Sequence, residues 1–153
     1  MTMKRAGAAW MPADAYGRSL PKFSVNLLVR DVHGSLPFYR DVLGATVLYA
    51  DEDFAALNLQ GTDFMLHADH SYDHHPLHAR LTEAGSGRRG TGAELRVMGI
   101  DPDALETRAR AAAVKVLQPA ADFPHGWRDV ILEDPDGYIW AVGVAISGKP
   151  SSS

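Results

Sequence analysis

The chain has 153 residues, of which 46% are hydrophobic, and carries a formal net charge of −4. This length suits one domain or two small modules that share a core, and the small negative charge gives no general attraction to nucleic acid or anionic membranes. Cysteine is absent, which excludes disulfides, thiolate catalysis and zinc–thiolate sites. No apolar run has the length of a membrane span, so we expect a cytoplasmic protein.

The first 21 residues mix small, polar and isolated large side chains without a period. We interpret residues 1–21 as an N-terminal arm. A terminal segment of this kind is usually a disordered leader. The alternative is that Trp10 and Tyr16 pack on a neighbouring subunit, because large aromatic side chains favour buried contacts.

The first module is predicted from alternating strand and helix signals over residues 22–69. Residues 23–30 are dense in Val, Leu and Phe, which favours a strand. A helix follows, with Ser35 as its N-cap and Gly44 just past its end. Three further strands are expected at residues 45–50, 54–59 and 63–68. The predicted order of elements is therefore β-α-β-β-β.

A polar stretch rich in His and Gly, residues 70–92, separates this module from a second one. The order of elements then recurs. Residues 93–98 resemble a strand, Asp101 caps a helix that begins with Pro102, and residues 114–117 form the next strand. We interpret the polar stretch as a linker between two related modules.

The second module ends in a hairpin with a specific turn. Asp134-Pro135-Asp136-Gly137 separates two apolar stretches, and Gly137 supplies the residue that tolerates positive φ. The second module therefore covers residues 93–146, and residues 147–153 are expected to be a disordered tail. An offset of 69 residues places Leu36 on Leu105, so the chain contains an internal repeat.

These motifs resemble a known superfamily. The segments 25–32 and 38–44 are similar to the first module of the vicinal oxygen chelate superfamily, and the 134–137 hairpin is similar to its last hairpin. This superfamily includes glyoxalase I, extradiol dioxygenases, fosfomycin-resistance enzymes and bleomycin-resistance proteins. The resemblance implies an α+β fold of two βαβββ modules whose sheets curl around a central cavity, often completed by dimerisation.

The resemblance also implies one divalent metal, held by His and Glu side chains from the first and last strands of each module. In this chain the corresponding positions hold residues without such groups, namely Ser24, Met65 or Leu66, Gly92 or Ala93, and Ala141. None of these is a strong ligand for a divalent ion. We therefore expect no metal and no cofactor.

Five of the seven histidines lie within twelve residues, at positions 67, 70, 74, 75 and 78. One interpretation is a displaced metal site or a proton relay, because His is both a common ligand and a near-neutral acid or base. The other is a solvated polar linker, since the spacing matches no ligand motif. His67 differs from the rest because it shares a strand face with Met65, so both would point into the cavity.

Three more candidates lie near the final hairpin. Trp127 and Arg128 suit a planar or anionic ligand through stacking and paired hydrogen bonds. Alternatively, Trp127 packs in the core and Arg128 pairs with Asp129 or Glu133; neighbours on a strand face opposite ways, which argues against one shared pocket. Trp140 is a candidate for an apolar cavity wall.

The sequence thus predicts a metal-free, homodimeric glyoxalase/bleomycin-resistance-like protein that sequesters a small organic ligand in the cavity between the modules. The alternative is a lyase, isomerase or dioxygenase-like enzyme with a displaced metal or His-based site around His67. We expect no nucleic acid or membrane partner. The predicted ligand-binding residues are Met65, His67, Trp127, Arg128 and Trp140, with His67 as the catalytic candidate.

Overall fold

The structure of the chain is a computed structural model that describes residues 3–83 and 88–147. The chain divides into two compact units, Met1–Ser86 and Gly87–Ser153. Each unit contains one four-stranded sheet. Of the predicted tail, residues 148–153 lie outside the described part of the chain.

The first unit contains four strands in its described part. Its helices and strands are α1 (Ala13–Ser19), β1 (Asn26–Val29), α2 (Val32–Pro37), β2 (Thr46–Ala50), β3 (Phe54–Leu59), β4 (Thr62–Ala68) and α3 (Pro76–Glu83). A π-helical turn, Phe38–Val42, continues α2, and a 3₁₀ turn, Asp69–Tyr72, follows β4. The strand order is β1-β4-β3-β2, with β1 parallel to β4 and the other pairs antiparallel. This is the predicted βαβββ connectivity.

The boundaries of α2 differ from those predicted. The predicted N-cap Ser35 is wrong, because α2 begins at Val32 and the Ser35 N–H donates a hydrogen bond to the Asp31 carbonyl at 3.0 Å. Ser35 is buried inside the helix. The predicted stop is confirmed, since Gly44 adopts a φ of +80°, a conformation that glycine tolerates best.

The two faces of the first sheet carry different sets of side chains. Alternation along the strands places one set of fully or almost fully buried apolar side chains on a single face: Leu27, Val29, Leu57 and Leu66. The opposite face carries Asn26, Phe54, Met65 and His67, which are neighbours in the strand register.

The N-terminal arm covers this second face. The Trp10 ring stacks on the Tyr49 ring with centroids 5.2 Å apart and an interplanar angle of 10°. The Tyr16 ring meets Phe54 edge-on at 5.3 Å. These contacts lie within the first unit, whereas the sequence left a choice between a disordered leader and packing on another subunit. The arm also contains a helix, α1, which its irregular sequence did not indicate.

The second unit repeats the same connectivity. Its elements are β5 (Glu94–Met98), α4 (Pro102–Ala111), β6 (Lys115–Asp122), β7 (Trp127–Glu133) and β8 (Ile139–Ala145). The strand order β5-β8-β7-β6 matches that of the first unit. The predicted cap of α4 is confirmed, because Asp101 Oδ1 accepts a hydrogen bond from the Asp103 N–H at 3.0 Å. The α+β fold of two βαβββ modules is therefore confirmed.

The predicted hairpin turn is present between β7 and β8. Asp134 Oδ1 accepts hydrogen bonds from the backbone N–H groups of Asp136 at 2.9 Å and Tyr138 at 2.7 Å. Gly137 adopts a φ of +94°. The side chain of Asp134 is almost fully buried, so the turn is held by a carboxylate that water does not reach.

The helices of the described part are short. The longest, α4, has ten residues, and none is both long and apolar enough to cross a lipid bilayer. The predicted linker, residues 70–92, contains most of the 3₁₀ turn and all of α3.

Candidate functional site

A cavity of about 750 Å³ lies between the arm and the first sheet. Every residue that lines it belongs to the first unit. Much of its wall is apolar and comes from both the arm and the sheet: Ala9, Trp10, Met11, Leu20, Phe54 and Met65. The volume falls in the range of cavities that enclose small organic molecules.

His67 is held by a hydrogen-bonded pair of side chains at the cavity wall. The Nδ1 atom of His67 lies 2.7 Å from Asn26 Oδ1, and Asn26 Nδ2 donates to Tyr72 Oη at 2.6 Å. Because the amide nitrogen of Asn26 is used as a donor, its oxygen accepts, and this places the His67 proton on Nδ1. The lone pair of His67 is then on Nε2.

The surroundings of His67 favour the neutral imidazole. Burial lowers the pKa of His67 below its usual value, and the charges of Asp51 and Asp53 oppose this effect only partly. Its ring stacks on Phe54, with centroids 5.4 Å apart and an angle of 29°. No hydrogen bond to Nε2 comes from the described residues. His67 is therefore a neutral hydrogen-bond acceptor near pH 7.

Charged groups at the edge of the cavity neutralise one another. The Arg5 N–H donates to Asp53 Oδ1 at 2.9 Å, and its guanidinium Nη1 lies 3.5 Å from both Asp51 Oδ2 and Asp53 Oδ2. His70 Nε2 lies 3.0 Å from Asp53 Oδ1. Lys4 and Asp73 form a further ion pair of 2.8 Å near the start of the arm. The turn before β3, which contains Asp51 and Asp53, is thus an anchor for the arm.

Tyr16, on α1, brings a hydroxyl group to the cavity. Its Oη atom is buried, and within the described residues it has no hydrogen-bond partner. Burial raises the pKa of Tyr16, and the charge of Asp63 acts in the same direction. Tyr16 is therefore a neutral hydroxyl to which the described residues offer no hydrogen bond.

Two of the five predicted ligand-binding residues lie together. Met65 and His67 both line the cavity of the first unit, on the same sheet face. The other three belong to the second unit, and their role in ligand binding stays a prediction. Trp140 is almost fully buried beside Leu132 and Leu95 in the sheet register.

Trp127 and Arg128 make contacts of their own in the second unit. The Arg96 guanidinium carbon lies 4.6 Å from the centroid of the Trp127 ring. Arg128 donates two hydrogen bonds to the carboxylate of Asp103, at 2.8 and 2.7 Å, and one to Asp122 at 3.0 Å. The guanidinium is therefore paired with acids, although not with the two that the sequence suggested.

Two other histidines of the cluster have hydrogen-bond partners other than His67. His70 is buried and pairs with Asp53, whereas His75 Nδ1 accepts the Leu77 N–H at 3.1 Å. Over residues 3–83 and 88–147, no three His, Asp or Glu side chains are grouped in a way that could hold a metal ion.

The residues at the superfamily's metal positions do not fit a divalent ion. Ser24 is exposed, Met65 lines the cavity with a thioether, and Leu66 is buried on the other face of the sheet. In the second unit, Ala93 and Ala141 offer only methyl groups. None of these supplies an imidazole or a carboxylate, so the residues at these positions do not form a site for a divalent metal.

Four residues of the site were not identified from the sequence: Arg5, Tyr16, Asn26 and Tyr72. Of these four, only Asn26 could have been noticed in the sequence, because it is a polar residue in an otherwise apolar strand. Tyr72 fell in a segment interpreted as a linker. Arg5 belongs to an arm without a period, and Tyr16 was considered only for packing on another subunit.

The two βαβββ units place this chain in the class of α+β proteins that are built from paired modules. The family model for the Glyoxalase/Bleomycin resistance protein/Dioxygenase superfamily matches residues 23–142, and the chain belongs to this superfamily. The matched residues exclude the arm that covers the cavity. A comparison with curated proteins gives no match.

Solved structures agree with this assignment. A glyoxalase/bleomycin resistance protein/dioxygenase from Nocardioides is 25% identical, with 92% of this chain and 97% of that chain covered and a TM-score of 0.63. A protein of unknown function from Agrobacterium tumefaciens str. C58 is 28% identical over 79% of this chain and 90% of that one, with a TM-score of 0.57. A glyoxalase-related enzyme from Fulvimarina pelagi shares the fold at 23% identity, covering 82% and 88%, with a TM-score of 0.64.

Proposed function

We propose that this protein binds a small organic molecule in the cavity of its first unit and does so without a metal. The observation that carries the proposal is a largely apolar cavity of about 750 Å³ between the arm and the sheet. Three ion pairs attach the start of the arm to the sheet side of the unit. A ligand would bury its apolar surface against Trp10, Phe54 and Met65.

A second candidate function is a His-based enzyme, a lyase or isomerase that uses His67 as a general base. The specific observation in its favour is the Asn26–Tyr72 pair, which orients the imidazole and keeps the lone pair on Nε2. A general base needs this orientation and a pKa near or below the working pH. The same arrangement also serves a binding protein, so turnover is the measurement that separates the two functions.

A thermal-shift screen of small aromatic compounds tests the binding function. A compound at 100 times its Kd adds about 2.7 kcal/mol to the free energy of unfolding, which raises the Tm by several degrees. Affinity is then measured by calorimetry for the wild type, for Ala9→Phe, which fills the cavity, and for Ala111→Phe, an exposed position on α4. We expect Ala9→Phe alone to lose binding. Equal affinity in all three proteins would place the ligand elsewhere.

Mass spectrometry of each bound compound then separates binding from catalysis. A binding protein returns the compound unchanged after prolonged incubation. An enzyme converts it, and His67→Gln abolishes conversion while the compound still binds. Metal content, measured by elemental mass spectrometry with and without added Zn²⁺, Mn²⁺, Ni²⁺ and Fe²⁺, tests the metal-free state. The homodimer and the cytoplasmic location stay predictions.

A further inference from the structure

The polar atoms of the cavity restrict the ligand that it can hold. Tyr16 Oη is buried, and the part of the chain that the structure describes offers it no hydrogen-bond partner. A buried polar group without a partner destabilises the folded protein. A ligand atom that accepts a hydrogen bond from this hydroxyl would remove that destabilisation.

The second polar atom is His67 Nε2, which takes the opposite kind of partner. Its lone pair accepts a hydrogen bond, because Nδ1 carries the proton toward Asn26. Both groups pack against the same ring. Tyr16 meets Phe54 edge-on at 5.3 Å, and His67 stacks on Phe54 at 5.4 Å. Both side chains therefore contact Phe54 and line the same cavity.

A hydroxyl group is the simplest ligand group that satisfies both atoms, since one oxygen can donate to His67 Nε2 and accept from Tyr16 Oη. A carboxylate only accepts, an ammonium only donates, and an ether lacks the donor. Among the described residues that line the cavity, Arg5 is already paired with Asp51 and Asp53, so a charged ligand also lacks a free counter-ion there. Burying an unpaired charge is costly.

The rest of the wall suits an aromatic ring. Trp10 and Phe54 present ring surfaces, and Met65 adds a polarisable thioether that favours aromatic contacts. We propose that the cavity selects an uncharged aromatic molecule with one hydroxyl group, a phenol, held between Tyr16 Oη and His67 Nε2. This inference rests on the proposed binding function and specifies its ligand class.

Calorimetry on the full chain near pH 7.5 tests the inference with three matched probes: carvacrol, carvacrol methyl ether and cuminate. They share a substituted benzene ring and carry a hydroxyl, a methoxy and a carboxylate group. We expect carvacrol to bind at least about tenfold more tightly than either of the others, because a site built around a hydroxyl rejects analogues that leave its polar groups unpaired.

Two variants assign the effect to the cavity. Tyr16→Phe removes only the hydroxyl and should weaken carvacrol about fivefold to tenfold while leaving the methyl ether unchanged. Tyr138→Phe, in the second unit, should change neither affinity.

Equal binding of carvacrol and its ether by the wild type, lost in Ala9→Phe, overturns the phenol inference and leaves the binding function intact. Tighter binding of cuminate overturns the inference in favour of an anion site. No binding by all three probes also overturns it, and the screen above then decides the binding function separately.

Discussion

His67 Nδ1 lies 2.7 Å from Asn26 Oδ1, across the parallel strands β4 and β1. The strands place the two side chains next to each other on the face that the arm covers. Because Asn26 in turn donates to Tyr72, it holds the imidazole in one tautomer without adding a charge. Burial keeps the pKa of His67 below its usual value, and the charges of Asp51 and Asp53 act in the opposite direction.

Replacing Asn26 by Asp should reverse this effect. A carboxylate next to Nδ1 favours the imidazolium form, so Asn26→Asp should raise the pKa of His67 by about one pH unit or more. The shift can be followed by NMR titration of the His67 Cε1–H signal. Asn58→Asp is the control, because Asn58 bonds to Asp63 near the other end of β3. A similar rise in both variants would contradict a specific role of Asn26.

His67 should make the protein less stable as the pH falls. Its pKa is lower in the folded protein than in the unfolded chain, where His titrates at about 6.5. Below that pH the unfolded chain binds the proton first, so the free energy of unfolding decreases as the pH falls toward the folded-state pKa. Above it, this contribution does not change.

Urea unfolding at about pH 7.5 and about pH 5.5 measures this dependence. His67→Gln should lose less stability between the two pH values than the wild type does. His125→Gln, which removes an imidazole of the second unit, is the matched control. If His67→Gln and the wild type lose equal stability, His67 is not the group responsible.

Arg5 should hold the arm on the sheet. Arg5→Ala removes the guanidinium that lies 3.5 Å from the buried carboxylate of Asp51, and we expect a loss of about 1 kcal/mol of stability. Hydrogen exchange of the α1 amides should accelerate. Arg18→Ala breaks an exposed pair with Asp14 on the same arm and should have little effect on either quantity. Similar effects of the two variants would mean that Arg5 is not the anchor.

The turn of the second unit should depend strongly on one carboxylate. Asp134→Ala leaves the N–H groups of Asp136 and Tyr138 without their acceptor, which should cost about 2 to 4 kcal/mol. Asp101→Ala removes the exposed cap of α4 and should cost only about 1 kcal/mol. Urea denaturation of both variants gives the comparison, and equal losses would contradict the role assigned to burial.

The features predicted correctly from the sequence are those that neighbouring residues determine. Asp101 and Asp134 each bond to backbone groups two to four residues away, so their roles can be recognised in the local pattern. Alternation along β4 was enough to place His67 with Met65. Ser35 was misassigned because a helix can begin before a residue that would also serve as a cap.

The features that were not predicted depend on distant contacts. Arg5 meets Asp53 across 48 positions, and Asn26 meets Tyr72 across 46. No local period encodes such pairs. Arg128 illustrates the same limit, since its acids are Asp103, at the start of α4, and Asp122, its register partner on β6. Only the fold brings these groups together.

The arm that covers the cavity is joined to the sheet beneath it by a connection of four residues, 22–25. A covalent link of this length keeps the cover at a local concentration on the order of millimolar, whatever the dilution of the protein. The affinity of the cavity should therefore be the same at nanomolar and at micromolar protein. A cavity closed by a separate molecule would lose its cover, and with it its ligand, on dilution.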